Sequence, residues 1–536
     1  MGFYFNNIAL YSLYESETVK PYFVDKTMLL RELFPLVKEG KNYLCITRPR
    51  RFGKTVMANM IGAFFAKDID SSSLFAGLKI AEIDGYKENR NQHNVIYIDF
   101  SRYDDSCSSY QAYISNIKEL LREDLHLAYP QCRFREKGSV SEDLIRIHQM
   151  TRERFVFVLD EWDAIFHMPF VTEDEQKSYL LFLKDLLKDQ PYVSLAYMTG
   201  ILPIAKYSSG SELNMFLEYS MVTQERFSDY FGFTDSEVDE LYLRYQRLQT
   251  SPAVSREELR AWYDGYHTAS GERVYNPRSV VAALSNNRIA NYWTSSGPYD
   301  EIFYYIKRNV AEVRDELALM VAGEAVPVKV QEYAATSMSL QTREEIFSAM
   351  VVYGFLSYEN RSVSIPNREL LERFEDMLKK EKDLGYVNRL AKESERMLNA
   401  TVQGDTAAMA EILEYAHDTE SPVLRYNSEA ELSALINLVY LSARDFYDIQ
   451  REDKAGTGFV DFIFYPKYNR SADCIILELK VGQTPEEAIE QIKQKKYSLR
   501  FAGKLGEPPY YTGRILAVGI SYNKESKKHS CRVEVL

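Results

Sequence analysis

Short apolar runs alternate with longer stretches whose apolar positions fall three and four residues apart through the first two hundred residues of the chain. Tyr43-Leu-Cys-Ile-Thr47, Val95-Ile-Tyr-Ile-Asp99-Phe100, Phe155-Val-Phe-Val-Leu159 and Val193-Ser-Leu-Ala-Tyr-Met198 read as buried strands. Met28 to Phe34, Val56 to Phe65, Tyr110 to Leu127 and Glu173 to Lys188 read as helices. Strands alternating with helices predict an α/β fold with a parallel sheet covered on both faces, and such sheets bind ligands at the carboxyl ends of their strands.

The alternation stops near Phe231-Gly-Phe-Thr234, where Thr234 and Glu237 have the spacing of a helix capping box. Helices dominate from there to about residue 330, with Trp262 to Tyr266 and Val274 to Pro277 reading as helix end, turn and restart. A helix over Thr342 to Val352, a turn at Glu359-Asn-Arg361 between two short extended runs, and a further helix are compatible with a winged-helix module, though a hairpin packed on helices has the same pattern. A charged helical stretch from Leu371 to Met397 leads to a boundary around Thr419-Glu-Ser-Pro422. After it, Glu429 to Val439 reads as an amphipathic helix, and Phe459 to Tyr465 and Cys474 to Lys480 as strands. These changes of period divide the chain into 1–225, a helical lid region 226–330, a helical linker 331–420 and a C-terminal α/β domain 421–536.

Composition narrows the class. No apolar run approaches the ~20 residues of a membrane span, and the N-terminus lacks the basic, apolar and small-residue blocks of a signal peptide. Five scattered cysteines without a CxxC pair, and seven histidines, argue for a reducing cytoplasm and against structural zinc. The net charge of −13 disfavours the whole molecule as a nonspecific nucleic-acid coat. It leaves room for a local basic groove, and the tail from Lys493 onward is locally basic.

Chemistry concentrates at two places. In the first, the strand ending at Thr47 enters Arg48-Pro49-Arg50-Arg51-Phe52-Gly53-Lys54-Thr55 and leaves as a helix. The Gly-Lys-Thr ending is that of a phosphate-binding loop, while the first glycine position holds Arg48. Lys54 can reach the terminal phosphates of ATP, the Thr55 hydroxyl can ligate magnesium, and amides at the helix start favour anions. Phe155 to Leu159 ends in Asp160 and Glu161, suited to hold magnesium's water shell and to orient an attacking water; the alternative is a solvated strand end. Thr199, directly after its strand, could sense the γ-phosphate or simply cap the next turn.

In the second, a hairpin closed over Pro466 to Asp473 with matched ends sets Asp461 opposite Glu478, with Lys480 on the same face as Glu478. Two facing carboxylates repel unless a cation lies between them, so the set suits Mg2+, with Lys480 steering water or steadying phosphate charge. A hairpin salt bridge between Lys480 and one acid is the structural alternative.

Asp461 and Glu478-Leu479-Lys480 resemble the signature elements of the PD-(D/E)XK nuclease superfamily, with Val460 in place of its usual proline. The resemblance implies Glu429 as the first-helix acid and metal ligand, with Glu431 as fallback, and Gln491 and Tyr497 as polar positions of the second core helix. Phe23-Val-Asp-Lys-Thr27, the Arg48 to Thr55 loop, Leu159-Asp160-Glu161, Thr199-Gly200 and Tyr230-Phe-Gly-Phe-Thr234, with that C-terminal domain, resemble the AAA-ATPase-like family fused to a PD-(D/E)XK domain. The resemblance implies an AAA-type, ATP- and Mg2+-using module joined to a restriction-endonuclease-like one, acting on nucleic acid, DNA being favoured, in repair, mobile-element or defence work. No membrane partner is expected and homo-oligomerisation stays open. The rival expectation is a nucleotide-operated switch or scaffold whose C-terminal domain binds nucleic acid or protein without cutting.

Overall fold

The computed structural model describes residues 2–103, 107–204, 212–222, 224–293, 310–330, 340, 342–418, 429–455, 458–501 and 510–536. The chain forms two compact units, Met1–Gly297 with Val328–Glu369, and Pro298–Pro327 with Leu370–Leu536. The boundary expected around Thr419 to Pro422 lies outside the described residues.

In the first unit, α1 (Ala9–Thr18) and α2 (Met28–Glu39) precede β1 (Asn42–Thr47) and α3 (Lys54–Phe65). Then come β2 (Asn94–Asp99), α4 (Tyr110–Ala128), α5 (Val140–Thr151), β3 (Phe155–Asp160), α6 (Glu173–Leu187), β4 (Val193–Gly200) and the short β5 (Leu217–Tyr219). The strands form one parallel sheet in the order β2-β3-β4-β1-β5. Because successive side chains in a strand point to opposite faces, β3 feeds two cores at once. Phe155, Phe157 and Leu159 join the apolar faces of α4, α5 and α6, while Val156 and Val158 join those of α1, α2 and α3. The absence of a side chain at Gly62 lets α3 approach α1 closely, since a Cβ there would lie 2.4 Å from a Leu10 methyl. This is the expected α/β layering. The strand β5, only three residues long, is too short for a periodic pattern and was not expected.

Beyond the sheet, α7 (Asp235–Leu248) begins with the expected Thr234 and Glu237 capping box. After α8 (Arg256–Tyr263), Tyr266–His267 and Arg273–Val274 pair as a small antiparallel ribbon where only a turn was expected. Gly265, at φ 103°, makes the entry, and two-residue strands are beneath any periodic signal. Asn276 caps α9 (Pro277–Asn286), with Pro277 in its first turn. Next, α10 (Arg343–Tyr353) ends at Gly354, and β6 (Ser357–Glu359) and β7 (Ser362–Ser364) pair antiparallel around Asn360 and Arg361, whose φ values are 50° and 60°. Two successive left-handed residues are what a tight two-residue hairpin loop requires.

The second unit carries α12 (Tyr386–Gln403), α13 (Thr406–Asp418) and α14 (Glu429–Val439), preceded by α11 (Arg368–Lys380), whose first two residues belong to the first unit. The charged helical stretch expected over Leu371 to Met397 is made of two helices, with the break before Gly385 at φ 59°. Its sheet has the order β8 (Tyr447–Ala455), β9 (Gly458–Pro466), β10 (Cys474–Val481), β11 (Ile515–Asn523) and β12 (Lys528–Val535). Only β10 and β11 are parallel, joined across α15 (Pro485–Gln494); the other neighbours are antiparallel. Ile463, Ile476, Ile489 and Ile492 pack α15 on one face of this sheet.

Candidate functional site

The loop between β1 and α3 turns on two residues with left-handed backbone, Arg51 at φ 70° and Gly53 at φ 90°. The helix starts directly at Lys54, so its first amides have no intrahelical partner and face the loop. Lys54 is 4% exposed; its ammonium donates to the Pro49 carbonyl oxygen at 3.3 Å and lies 3.9 Å from a Glu161 carboxylate oxygen. Strand β3 delivers Asp160 fully buried, and the Thr55 hydroxyl hydrogen-bonds it. Tyr97 donates to Asp160 Oδ2 at 3.3 Å and the Glu161 amide to Oδ1 at 3.1 Å. Burial, then the neighbouring charges of Glu161 and Asp99, push the Asp160 carboxyl up to about 7. Burial raises Glu161 as well, against the pull of Lys54. Glu161 itself sits at φ 48°, a conformation that costs a non-glycine residue about 1–3 kcal/mol and persists only where the surroundings enforce it. Crowded, partly neutralised oxygens beside a lysine form a donor set that fits a hard divalent cation and phosphate oxygens.

A cavity of about 490 Å³ opens over this constellation. Arg51, Phe52, Gly53, Lys54, Thr55 and Glu161 line one side, and Phe23, Val24, Tyr230, Phe233 and Val281 give it an apolar wall. Three of the loop residues expected to bind nucleotide do not line it. Arg48 is buried, donating through Nη1 to the Thr47 and Tyr219 carbonyl oxygens at 2.8 Å each and stacking 4.9 Å from the Phe231 ring centroid. Its burial holds the guanidinium pKa down to about 10. Arg48 thus ties the loop to β5, which accounts physically for an arginine where a glycine would stand. Pro49 packs against Gly354, and Arg50 stays close enough to Glu161 to lower its pKa. Thr199 is the penultimate residue of β4, fully buried, with its hydroxyl donating to the Ile46 carbonyl oxygen of the neighbouring β1 at 2.9 Å, a cross-strand bond rather than a cap on the next turn.

Sequence reasoning missed two contributors, Asp163 and Glu369. Asp163 accepts from the Ile201 and Leu202 amides at 3.0 and 2.8 Å, pinning the segment after β4 beside Glu161. Its spacing, three residues after Asp160, was the available signal. Arg51 donates to the Tyr292 and Trp293 carbonyl oxygens, and the same two residues' amides donate to the buried Glu369 carboxylate at 2.6 and 2.7 Å. Glu369 is separated from the loop by more than three hundred residues, and no local pattern announces it.

The second site lies on β9 and β10. Register pairs Phe462 with Leu477 and Ile463 with Ile476, so the next pair in line is Asp461 with Glu478, as matched ends require. There the ladder gives way to side chains, and the Leu479 amide donates to Asp461 Oδ2 at 2.7 Å. Glu478 is 3% exposed, and its Oε1 accepts from Lys480 Nζ at 3.3 Å and from Gln491 on α15. Its Oε2 is buried with no hydrogen-bond partner. Burial, then Asp461, push the Glu478 carboxyl up to about 7. Tyr497 is buried beside Gln491. The ion pair of the structural alternative is therefore present, but it occupies one oxygen; the unpartnered second oxygen opposite Asp461 fits a cation. Glu429 and Glu431 lie in the first turn of α14, with side chains outside the described residues. Among the described residues no three carboxylate, histidine or cysteine side chains converge into a metal cluster, and no helix is long and apolar enough to cross a membrane.

Residues 8–209 match the model of a predicted AAA-ATPase family, and residues 429–530 match the PD-(D/E)XK nuclease superfamily. The chain thus joins an AAA-like ATPase domain to a PD-(D/E)XK nuclease-family domain. An uncharacterized protein in the vnfD 5' region of Azotobacter chroococcum mcd 1 is 30% identical over 281 residues, 52% of this chain and 51% of that protein. The chain thus spans about half the length of this curated relative. Among solved structures, a Walker-type ATPase of Pyrococcus abyssi aligns at 11% identity and TM-score 0.35, covering 64% of this chain and 93% of that one. The ORC2 protein of Aeropyrum pernix, in ADPNP and ADP complexes, aligns at 10% identity and TM-score 0.33, covering 66% and 92%.

Proposed function

We propose that the protein hydrolyses ATP in its first unit and cleaves nucleic acid, DNA in the first instance, with its C-terminal domain. Lys54 is placed to neutralise terminal phosphates, and Glu161, next to Asp160, to orient water and take its proton. When bound, magnesium supplies charge neutralisation and an acidified water; Thr55 and Asp160 would hold it at the first site, and Asp461 and Glu478, with Glu429 as the further acid, at the second. Lys480, tethered to Glu478 Oε1, stands within reach of a phosphate that approaches the carboxylates. The observation that carries the nuclease reading is the buried, unpartnered Oε2 of Glu478 in register with Asp461.

The reading extends to a cytoplasmic protein, on its five unpaired cysteines, with a role in repair, mobile elements or defence. A binding-only switch is the second reading, favoured by the net charge of −13 and by the Lys480–Glu478 ion pair. Incubation of the purified protein with labelled DNA and RNA, with and without magnesium and ATP, tests both. Magnesium-dependent fragments that disappear in Asp461→Ala support cleavage; nucleic-acid retention without fragments supports the switch.

A further inference from the structure

Along β9, Tyr465 lies four residues from Asp461 and on the same face, about 13 Å away at the rise of an extended strand. There Tyr465, Tyr511, Tyr510, Arg500, Asp448 and Gln450 line an open cleft of about 410 Å³ that none of the chemistry above uses. The tyrosines form a chain of rings, with Tyr465 and Tyr511 centroids 6.0 Å apart and Tyr511 and Tyr510 4.9 Å apart. Tyr510 is 55% exposed, and the Arg470 guanidinium stacks over it at 3.9 Å while donating to its hydroxyl at 3.1 Å. Arg500 donates to the Tyr465 hydroxyl at 3.0 Å. Lys467, Arg470 and Arg500 give this patch a positive balance against Asp448, in a chain that is acidic as a whole.

We propose that this cleft is a base-stacking subsite for a single-stranded nucleic acid strand that continues into the Asp461 and Glu478 site; the proposal rests on the nucleic-acid reading above. Flat rings backed by guanidinium groups accept any base face, which is how proteins hold single strands without pairing to them. The cations suit the backbone phosphates. Asp448, facing Tyr465 across the β8–β9 ladder, repels phosphate but accepts from the amino groups of a base edge, so the bases rather than the backbone enter the cleft. The 13 Å to Asp461 corresponds to about four stacked nucleotides at 3.4 Å each.

The test uses the full chain in EDTA, with ~12-nucleotide 2-aminopurine-labelled single-stranded DNA, RNA of the same sequence and the corresponding duplex DNA. Fluorescence quenching and anisotropy are read together. Tighter binding of a single strand than of duplex, with quenching, is expected, and the DNA and RNA arms identify the strand. Tyr510→Ala and Arg470→Ala each weaken binding about 5- to 150-fold and reduce quenching, the span of one stacked base, while Tyr510→Phe retains both. Parental melting temperatures in the variants exclude misfolding. If the parent binds and quenches but both alanine variants match it, the subsite is overturned and the nuclease reading stands. Equal binding of duplex without quenching also overturns the subsite. A parent that retains no oligonucleotide at all overturns the subsite, while the cleavage assay with magnesium decides the nuclease reading separately.

Discussion

Lys54 and Glu161 differ in their surroundings, and the roles proposed for them follow from that difference. Lys54 has little exposure and a carbonyl oxygen on which to rest, so its charge is aimed at the loop before any ligand arrives. Lys54→Ala is expected to reduce ATP turnover by about 100-fold or more, measured as phosphate release, and to weaken nucleotide binding in calorimetry. Wild-type-like turnover would sink the phosphate-loop reading. Glu161→Gln keeps the size of the side chain and loses the proton acceptor, so it should bind ATP and hydrolyse it about 100- to 10,000-fold more slowly. Loss of ATP binding instead would give Glu161 a structural part. In the second unit, Asp461→Asn relieves repulsion with Glu478 while keeping an acceptor for the Leu479 amide, so thermal stability without metal should stay level or rise, whereas magnesium should stabilise only the parent. A large loss of stability, with no magnesium effect in the parent, would mean a salt-bridged hairpin.

At the scale of elements, Glu369 clasps three segments to the first turn of α11. Its Oε1 accepts from Ser279 at the start of α9 and from the Tyr292 and Trp293 amides, whose carbonyls hold Arg51. Burial pushes its carboxyl from 4.5 up to about 7 against those hydrogen bonds. The folded state then binds more protons than the unfolded one between those values, so stability falls as pH rises from 4.5 to 7, by on the order of 3 kcal/mol from this group. Glu369→Gln should flatten that part of the pH dependence of the melting temperature; an unchanged slope would contradict it. The β6–β7 hairpin makes a simpler case. Arg361 holds φ at 60°, and Arg361→Gly should raise stability by up to about 1 kcal/mol in denaturant titration, because the left-handed strain removed exceeds the added chain entropy.

For the whole molecule, two compact units, each with its own proposed ligand set, imply separable ligand effects. ATP at about a hundred times its Kd should stabilise the first unit by about 2.7 kcal/mol, an effect that Lys54→Ala removes and Asp461→Ala leaves in place. Differential scanning calorimetry of the parent and the two variants, with each ligand alone, checks this. If either variant abolished both ligand effects, the assignment of one site to each unit would fail.

What the sequence determined by itself was local in origin. The strands β1 to β4, the loop into α3, the carboxylates closing β3 and the Thr234 and Glu237 capping box all follow from period and residue type within a dozen neighbours. The facing of Asp461 and Glu478 was legible too, because hairpin register follows from loop length and the two-residue alternation of strands. Tertiary structure alone decided the rest. The strands β8 and β12, rich in charged and polar residues, exist through their pairing with β9 and β11 rather than through an apolar run of their own. Arg48 became a buried tie to β5 instead of a phosphate contact, because only the folded sheet brings the Thr47 and Tyr219 carbonyls to its Nη1. Glu369 and the aromatic cleft beside Tyr465 arise from contacts between residues far apart in the chain, and sequence spacing carries no record of such meetings.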